Sequence, residues 1–124
     1  MTYVLHVRAI EATDIAKMDS NASDPYLVLR TSSETQKTSV QKNTQHPRWA
    51  QDFHFNITSP ATGALSISMK DKDILKDDDM STLEIQCCSL PIGQVIDQWY
   101  DMIPCKKVKK GGRLYFCLHM APQG

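Results

Sequence analysis

Two groups of aspartate residues are the part of this sequence with the clearest chemical potential. The groups are Asp19 with Asp24 and, about fifty residues later, Asp71, Asp73, Asp78 and Asp79. Each group lies beside a run of alternating apolar and polar residues typical of a strand, so we expect both on loops. Two unit charges about 4 Å apart repel by roughly 4 kcal/mol at an effective dielectric constant of about 20. If the loops converge, their carboxylates therefore need a cation.

Calcium is the cation that best suits this spacing. In an extended loop Asp71 and Asp73 point to the same side, and the five residues after Asp73 can turn back to present Asp79. Calcium accepts about six to eight oxygen ligands in flexible geometry, whereas magnesium requires a stricter octahedron and zinc favours nitrogen and sulfur. A cradle of carboxylates and backbone carbonyls therefore favours calcium.

Alternation of apolar and polar residues predicts that most of the chain forms strands. The strand candidates are residues 5–9, 26–30, 36–41, 53–57, 65–69, 83–87 and 114–120. One short helix is expected at residues 93–100. Seven or eight short strands separated by turn residues predict an antiparallel sandwich, and no domain boundary is visible.

Charge, cysteine content and missing motifs narrow the classes of function. The 124 residues carry 14 basic and 14 acidic side chains, so the overall field gives no argument for a nucleic-acid partner. The four cysteines lack the spacing of a disulfide or zinc framework, which favours a reducing, intracellular setting. No stretch approaches the roughly 18–20 apolar residues of a membrane span, so we expect any membrane contact to be peripheral. No nucleophile elbow, phosphate-binding glycine loop or HExxH motif is present, so we expect no enzyme.

The chain carries, in this order, the motifs LHVRAIEATDI, SDPYLVL, KTSV, TQHPRWAQDFHF, DKDILKDDD, QWYDMIP and GGRLYFCL. This series resembles the C2 domain, a calcium-dependent phospholipid-binding module. The resemblance covers nearly the whole chain and implies an all-β fold, an eight-stranded antiparallel β-sandwich with Greek-key connections, in a single C2 domain over residues 1–124. The run at Tyr3 looks like the family's usual second strand, and the run at Arg113 could replace its first. That favours the type II arrangement.

The resemblance also implies the ligands of a calcium site between two loops. They are the carboxylates of Asp19, Asp24, Asp71, Asp73 and Asp79 and the backbone carbonyls of Met18 and Lys72. Five carboxylates imply two calcium ions, or three. Because Asp77 and Asp78 directly precede Asp79, the sequence leaves open which of the three binds metal, with Asp79 preferred.

The implied function is calcium-dependent binding to anionic phospholipid membranes containing phosphatidylserine or phosphoinositide. Bound ions would cancel the charge of the loops and leave coordination positions for lipid oxygens. Ile74 and Leu75 would insert into the membrane beside Lys76, and Lys37 with Lys42, or the run KKVKK, could add a basic contact. We expect a cytoplasmic protein that moves to the membrane surface when calcium rises.

Each of these interpretations has a plainer alternative. Ile74 and Leu75 could pack back on their own loop, Asp24 could only cap the turn before Pro25, and KKVKK could be a solvated turn. The main rival function is a calcium-independent scaffold that binds a protein partner.

Histidines and tryptophans are expected to be structural. Trp49 and Trp99 match core positions of the resembled family, which we favour over a stacking platform. The alternation places His6, His54 and His119 outward, and we expect no metal or catalytic cluster among the histidines.

Overall fold

The computed structural model describes residues 2–18 and 22–123. Within these ranges it contains nine strands and one short 3₁₀ helix, Cys87–Ser89. The strands are β1 (Thr2–Thr13), β2 (Pro25–Arg30), β3 (Thr35–Lys37), β4 (Arg48–Ile57), β5 (Ala64–Asp71), β6 (Asp78–Gln86), β7 (Val95–Asp101), β8 (Ile103–Pro104) and β9 (Arg113–Gln123). The all-β prediction is confirmed; β8, of two residues, supplements the eight longer strands.

Two antiparallel sheets form the sandwich. One has the order β4-β1-β9-β7 and the other β3-β2-β5-β6-β8. The last strand, β9, pairs with β1 along its whole length, from Thr2 opposite Gln123 to Thr13 opposite Arg113. The C-terminal strand thus fills the place beside the N-terminal one, which is the expected type II arrangement.

The core lies between the sheets and is built from alternate residues of their strands. Its largest fully buried side chains include Phe55, Phe116, Leu5, Leu27 and Met69. Period-two alternation places one side chain of each adjacent pair in this layer and the other on an outer face. Among the described residues there is no helix of the length and apolar character needed to span a membrane.

The structure corrects two of the predicted elements. Residues 93–100 are not helical: β7 begins at Val95, and its β-branched and aromatic residues suit a strand at the edge of the sheet. The strand expected at 36–41 is only Thr35–Lys37, because the Thr38 hydroxyl accepts a hydrogen bond from the Leu27 N–H (2.9 Å) where the ladder ends.

The two tryptophans differ in their environments. Trp49 is buried in the core, as expected. Trp99 is only half-buried, and its ring stacks on Tyr115 with centroids 5.1 Å apart. Because Tyr115 alternates with the buried Leu114 and Phe116, this pair lies on the outer face of the sheet and the core prediction for Trp99 is wrong.

Candidate cation site at one end of the sandwich

Three strand ends bring Asp24 and the second aspartate group to one end of the five-stranded sheet. Pro25, at the start of β2, lies opposite Asp71 at the end of β5, and Asp71 lies opposite Asp78 at the start of β6. The loop before β2 and the loop between β5 and β6 are therefore neighbours, although about fifty residues separate them in the sequence.

Asp24 and Asp71 form the direct link between these loops. The Asp24 N–H donates to Asp71 Oδ1 (2.8 Å), and the Lys72 N–H donates to the Asp24 carbonyl (3.0 Å). Asp24 Oδ1 accepts a further hydrogen bond from the Asn43 N–H (2.6 Å), which ties in the loop before β4. Asp71 is only 5% exposed, so a carboxylate is held almost out of solvent here. Such burial is costly without hydrogen bonds or a counter-ion.

Asp73 opens onto the same cavity as Asp24 and Asp71. Its Oδ1 accepts a hydrogen bond from the Ile74 N–H (2.6 Å), and its own N–H donates to Asp77 Oδ1 (3.0 Å). The structure thus brings together three of the predicted ligand side chains around one cavity.

Asp77 fastens the loop between β5 and β6 to the sheet. It accepts a hydrogen bond from the hydroxyl of Tyr26, a buried residue of β2, and lies 3.7 Å from Lys72 Nζ. The Tyr26 hydroxyl, the Asp73 N–H and Lys72 hold the pKa of Asp77 below its usual value. Burial, followed by the Asp77 carboxylate, raises the pKa of Tyr26 to about 12, so the tyrosine remains a donor.

Asp78 and Asp79 lie at the beginning of β6, outside the described lining of the cavity. Asp79 stands opposite Lys70, and its Oδ1 lies 3.3 Å from the lysine Nζ. Since Lys70 and Asp71 are consecutive in β5, their side chains point to opposite faces. Asp79 therefore lies on the face away from Asp71, while Asp78 is exposed opposite Asp71.

The first predicted loop lies only partly within the described residues. Asp19 lies outside the described residues. Met18 is half-buried against the core, and its N–H donates to Ser23 Oγ (3.3 Å), while that hydroxyl donates to the Ala16 carbonyl (2.9 Å). Ser23 thus shapes the approach to Asp24.

The donor set of this cavity fits a hard cation. It consists of the carboxylates of Asp24, Asp71 and Asp73, and the described lining residues offer neither imidazole nor thiolate. Within residues 2–18 and 22–123, no three His, Cys, Asp or Glu side chains are already gathered around one ion position. The hydrogen bonds to Asp24, Asp71 and Asp73 direct at least one oxygen of each carboxylate towards a backbone N–H.

Two aliphatic residues form the tip of this end. Ile74 is 97% exposed and Leu75 is 95% exposed, directly after the cavity residue Asp73, and Lys76 beside them is also exposed. They do not pack back on the loop. Lys37 and Lys42 are exposed as well, Lys37 at the end of β3 and Lys42 next to Asn43 of the cavity.

The basic run KKVKK lies at the same end, which the sequence did not reveal. Asp101 at the end of β7 lies opposite Arg113, which lies opposite Thr13 at the end of β1, so the segment between β8 and β9 lies beside the first loop. Lys110 Nζ contacts Asp14 Oδ1 at 2.8 Å. The pairing of β1 with β9 places the run KKVKK here, because it determines at which end of the sandwich the segment before β9 lies.

Comparison with known families decides the relationship. A model of the C2 domain matches residues 3–102 of the chain. The chain belongs to the C2 domain family. In this C2 domain Asp24, Asp71 and Asp73 lie at one end of the sandwich.

Individual relatives resemble this C2 domain over most of its length. Multiple C2 domain and transmembrane region protein 7 of Arabidopsis thaliana is 29% identical, over 98% of this chain and 13% of that protein. A C2 domain of a plant Extended Synaptotagmin 1 matches with a TM-score of 0.88 and 21% identity, over 98% of this chain and 95% of that one. The calcium-bound pair of C2 domains of Extended-Synaptotagmin 2 matches with a TM-score of 0.83 and 26% identity, over 94% of this chain and 45% of that one. The chain spans between 13% and 49% of the length of the first three curated relatives it matches.

Proposed function

We propose that this C2 domain binds anionic phospholipid membranes in a calcium-dependent manner, through the end that carries Asp24, Asp71 and Asp73. The observation that carries the proposal is the link between Asp24 and Asp71, which places two loops, distant in sequence, around one carboxylate-lined cavity. Two calcium ions, or three, are proposed there, with Asp19 as a further ligand from the first loop. The calcium-bound Extended-Synaptotagmin 2 neighbour supports the choice of cation.

Carboxylate repulsion makes the binding of lipid depend on the ion. Asp24, Asp71 and Asp73 give the cavity negative charge, offset by Lys72 alone among its described lining residues. An anionic lipid headgroup is repelled by such a surface. Calcium, when bound, supplies positive charge and open coordination positions for phosphate or carboxylate oxygens.

Asp79 is proposed as a ligand that changes partner. Its Oδ1 lies 3.3 Å from Lys70 Nζ, and its side chain is 68% exposed, so little energy holds it in this ion pair. Release from Lys70, together with a rotation of the backbone at the start of β6, would bring it from the face away from Asp71 towards the cavity, whereas the exposed Asp78 already lies opposite Asp71. The same loop carries the proposed carbonyl ligand of Lys72, as the first loop carries that of Met18.

Residues around the cavity would add the membrane contacts. Ile74 and Leu75 are almost fully exposed, and burying an aliphatic side chain contributes about 1.5–3 kcal/mol. A lysine near an anionic surface contributes roughly 1 kcal/mol, and Lys76 lies beside this tip. Lys37, Lys42 and the run KKVKK are proposed as outer contacts, with phosphatidylserine or a phosphoinositide as partner. The protein would act from the cytoplasm, as a peripheral recruitment or signalling module when calcium rises.

Vesicle co-sedimentation tests the proposal directly. Phosphatidylserine vesicles should retain the protein in calcium and release it in chelator, with at least a roughly tenfold difference in bound fraction. Asp71→Asn with Asp73→Asn should abolish the difference. Asp52→Asn with Asp97→Asn is the matched control, because it removes two charges from the outer face of the four-stranded sheet. Equal binding of the wild-type protein in calcium and chelator would overturn the proposal.

The insertion tip has its own test. Ile74→Ala with Leu75→Ala should weaken vesicle binding in calcium at least roughly tenfold without changing calcium affinity. Ile92→Ala with Val95→Ala removes two exposed aliphatic side chains from the other end of the sandwich and should leave vesicle binding unchanged. Calorimetric titration with calcium separates this function from the rival scaffold, which would bind a protein partner without any calcium heat.

A further inference from the structure

Three histidines from three strands form a single row on the outer face of the four-stranded sheet. His6 of β1 lies directly opposite His54 of β4 on one side and directly opposite His119 of β9 on the other. All three point away from the core, because their neighbours in each strand, such as Leu5 and Val7, are buried. We call these three residues the histidine row; the Asp71 cavity lies instead at the loop end of the other sheet.

The spacing of two members of the histidine row matches that of imidazoles sharing one metal ion. A metal ion about 2.0–2.1 Å from a ring nitrogen lies roughly 3.2 Å from the ring centroid. If the angle between the two metal–nitrogen bonds is between a right angle and the tetrahedral angle, the two ring centroids lie roughly 4.5–5.2 Å apart. The centroids of His6 and His54 are 4.7 Å apart, within this range, and their ring planes lie at 81°, so rotation of the side chains must direct one nitrogen of each ring to the shared ion. Those of His6 and His119 are 5.6 Å apart, slightly beyond it.

We propose that His6 and His54 bind a divalent transition-metal ion of the class that prefers imidazole nitrogen, such as Zn²⁺, Cu²⁺ or Ni²⁺. The proposed site has only two histidine ligands, since the described residues contain no group of three His, Cys, Asp or Glu side chains arranged to hold one ion. Water would complete the coordination, and His119 lies next in the row. Hard cations such as calcium favour oxygen ligands, so this site and the aspartate loops select different ions.

The surroundings of the histidine row permit a cation to approach. Arg8 and Asp52 line the same groove, and they pair with each other at 3.2 Å between Nε and Oδ1, so their charges offset. Burial, followed by the neighbouring His54 and His119, lowers the pKa of His6, which favours the neutral imidazole that binds metal ions. Because His54 is exposed and His6 half-buried on a rigid sheet, the site needs only side-chain rotation to close.

Titration with Zn²⁺ in saturating calcium tests the proposal, since calcium then occupies the aspartate loops if they bind it. One Zn²⁺ per chain is expected, and His6→Gln and His54→Gln should each weaken its binding at least roughly tenfold. His46→Gln is the matched control, because His46 contacts Thr13 away from the row and should leave binding unchanged. With Cu²⁺, electron paramagnetic resonance should show coupling to two nitrogens in the wild-type protein and lose it in His6→Gln.

A second protein background distinguishes this site from the calcium site. Asp71→Asn with Asp73→Asn should retain full Zn²⁺ affinity, whatever its effect on calcium or vesicles. Loss of Zn²⁺ binding in that variant, wild-type affinity in His6→Gln, or no Zn²⁺ heat at all would overturn the proposal. Chemical denaturation of each variant shows that the histidine substitutions leave the protein folded.

Discussion

Gly111 and Gly93 illustrate how differently two glycines constrain the same chain. A Cβ at Gly111 would lie 2.0 Å from the Met102 carbonyl oxygen, a backbone atom that cannot move aside cheaply. At Gly93 the φ angle is +81°, but a Cβ would meet nothing within 4 Å. Contact with the Met102 backbone therefore requires glycine at position 111, between the basic run and β9. At position 93 only the positive φ angle favours glycine.

Substitution of each glycine by alanine should separate these two causes. Gly111→Ala should lower the free energy of unfolding by more than about 3 kcal/mol, through overpacking against backbone. Gly93→Ala should cost only about 1–2 kcal/mol, the penalty for a left-handed residue with a Cβ. Urea denaturation of both variants measures the difference, and equal midpoints would contradict it.

Asp71 shows why substitution by asparagine is the informative change in the aspartate cavity. The carboxylate is buried and accepts a hydrogen bond from the Asp24 N–H, one of the two hydrogen bonds between Asp24 and the loop after β5. Asparagine retains an acceptor oxygen for that hydrogen bond while removing the charge that a cation needs. A loss of calcium response in Asp71→Asn with Asp73→Asn therefore reports on the ion rather than on collapse of the loops.

At the scale of strands, the alternation of apolar and polar residues was the pattern that best predicted where strands lie. Buried Leu65, Ile67 and Met69 alternate with Ser66 and Ser68 as predicted, because one face of a strand in a sandwich must be apolar. The segment 93–100 misled because its apolar residues fit either period over so short a length. This segment is an edge strand because it pairs with β9, and such pairing between distant segments cannot be predicted from a local sequence pattern.

The pairing register of the strands determines which side chains of the candidate sites come together, and the sequence alone does not show this register. The resemblance to the C2 domain predicted that the loops of Asp24 and Asp71 would converge, and the pairing of β2 with β5 brings these two residues together. The ion pair of Asp79 with Lys70 depends on a register shift between Met69 and Lys70. The histidine row likewise exists only because β1 pairs with both β4 and β9 in one register.

His6 should make the stability of the protein sensitive to acid. Burial, and then His54 and His119, lowers the pKa of His6 in the folded protein below 6.5. The unfolded chain then binds protons more readily, so stability is full above about pH 6.5 and is lost as pH falls below it through the folded pKa. His6→Gln should reduce that loss by at least about half, and His46→Gln should not.

Urea midpoints at about pH 7.5 and about pH 5.5, measured in chelator, check this prediction. Chelator is needed because a bound transition metal would stabilise the neutral form of His6 and steepen the same pH dependence. An identical fall in midpoint for the wild-type protein and His6→Gln would assign the acid sensitivity to other groups.

Over the whole molecule, zero net charge conceals a strongly polarised end. The aspartate cavity, the exposed pair Ile74 and Leu75 and the run KKVKK all lie at the loop end reached by β1, β5 and β7. Lysines beside aspartates limit the field of the free protein, as the contact between Lys110 and Asp14 shows. Neutralising the aspartates alone would therefore leave this end basic as well as apolar, which is the combination that an anionic membrane attracts.

Stability against heat offers a membrane-free test of that arrangement. A ligand that binds only the folded state at about 100 times its Kd adds roughly 2.7 kcal/mol of stability. For a domain of this length each kcal/mol raises Tm by roughly 3–5 °C, so saturating calcium should raise Tm by on the order of 10 °C. Magnesium should raise it far less, because it demands a tighter octahedron and gives up water reluctantly.

The same measurement on variants ties the shift to the cavity. Asp71→Asn with Asp73→Asn should remove the calcium shift, and without calcium it should melt no lower than the wild-type protein, because it relieves carboxylate repulsion. Asp52→Asn with Asp97→Asn should retain the shift. Calorimetric scans with calcium, magnesium or chelator separate these outcomes, and equal shifts with the two ions would show that the loops respond to divalent charge rather than to the coordination that calcium allows.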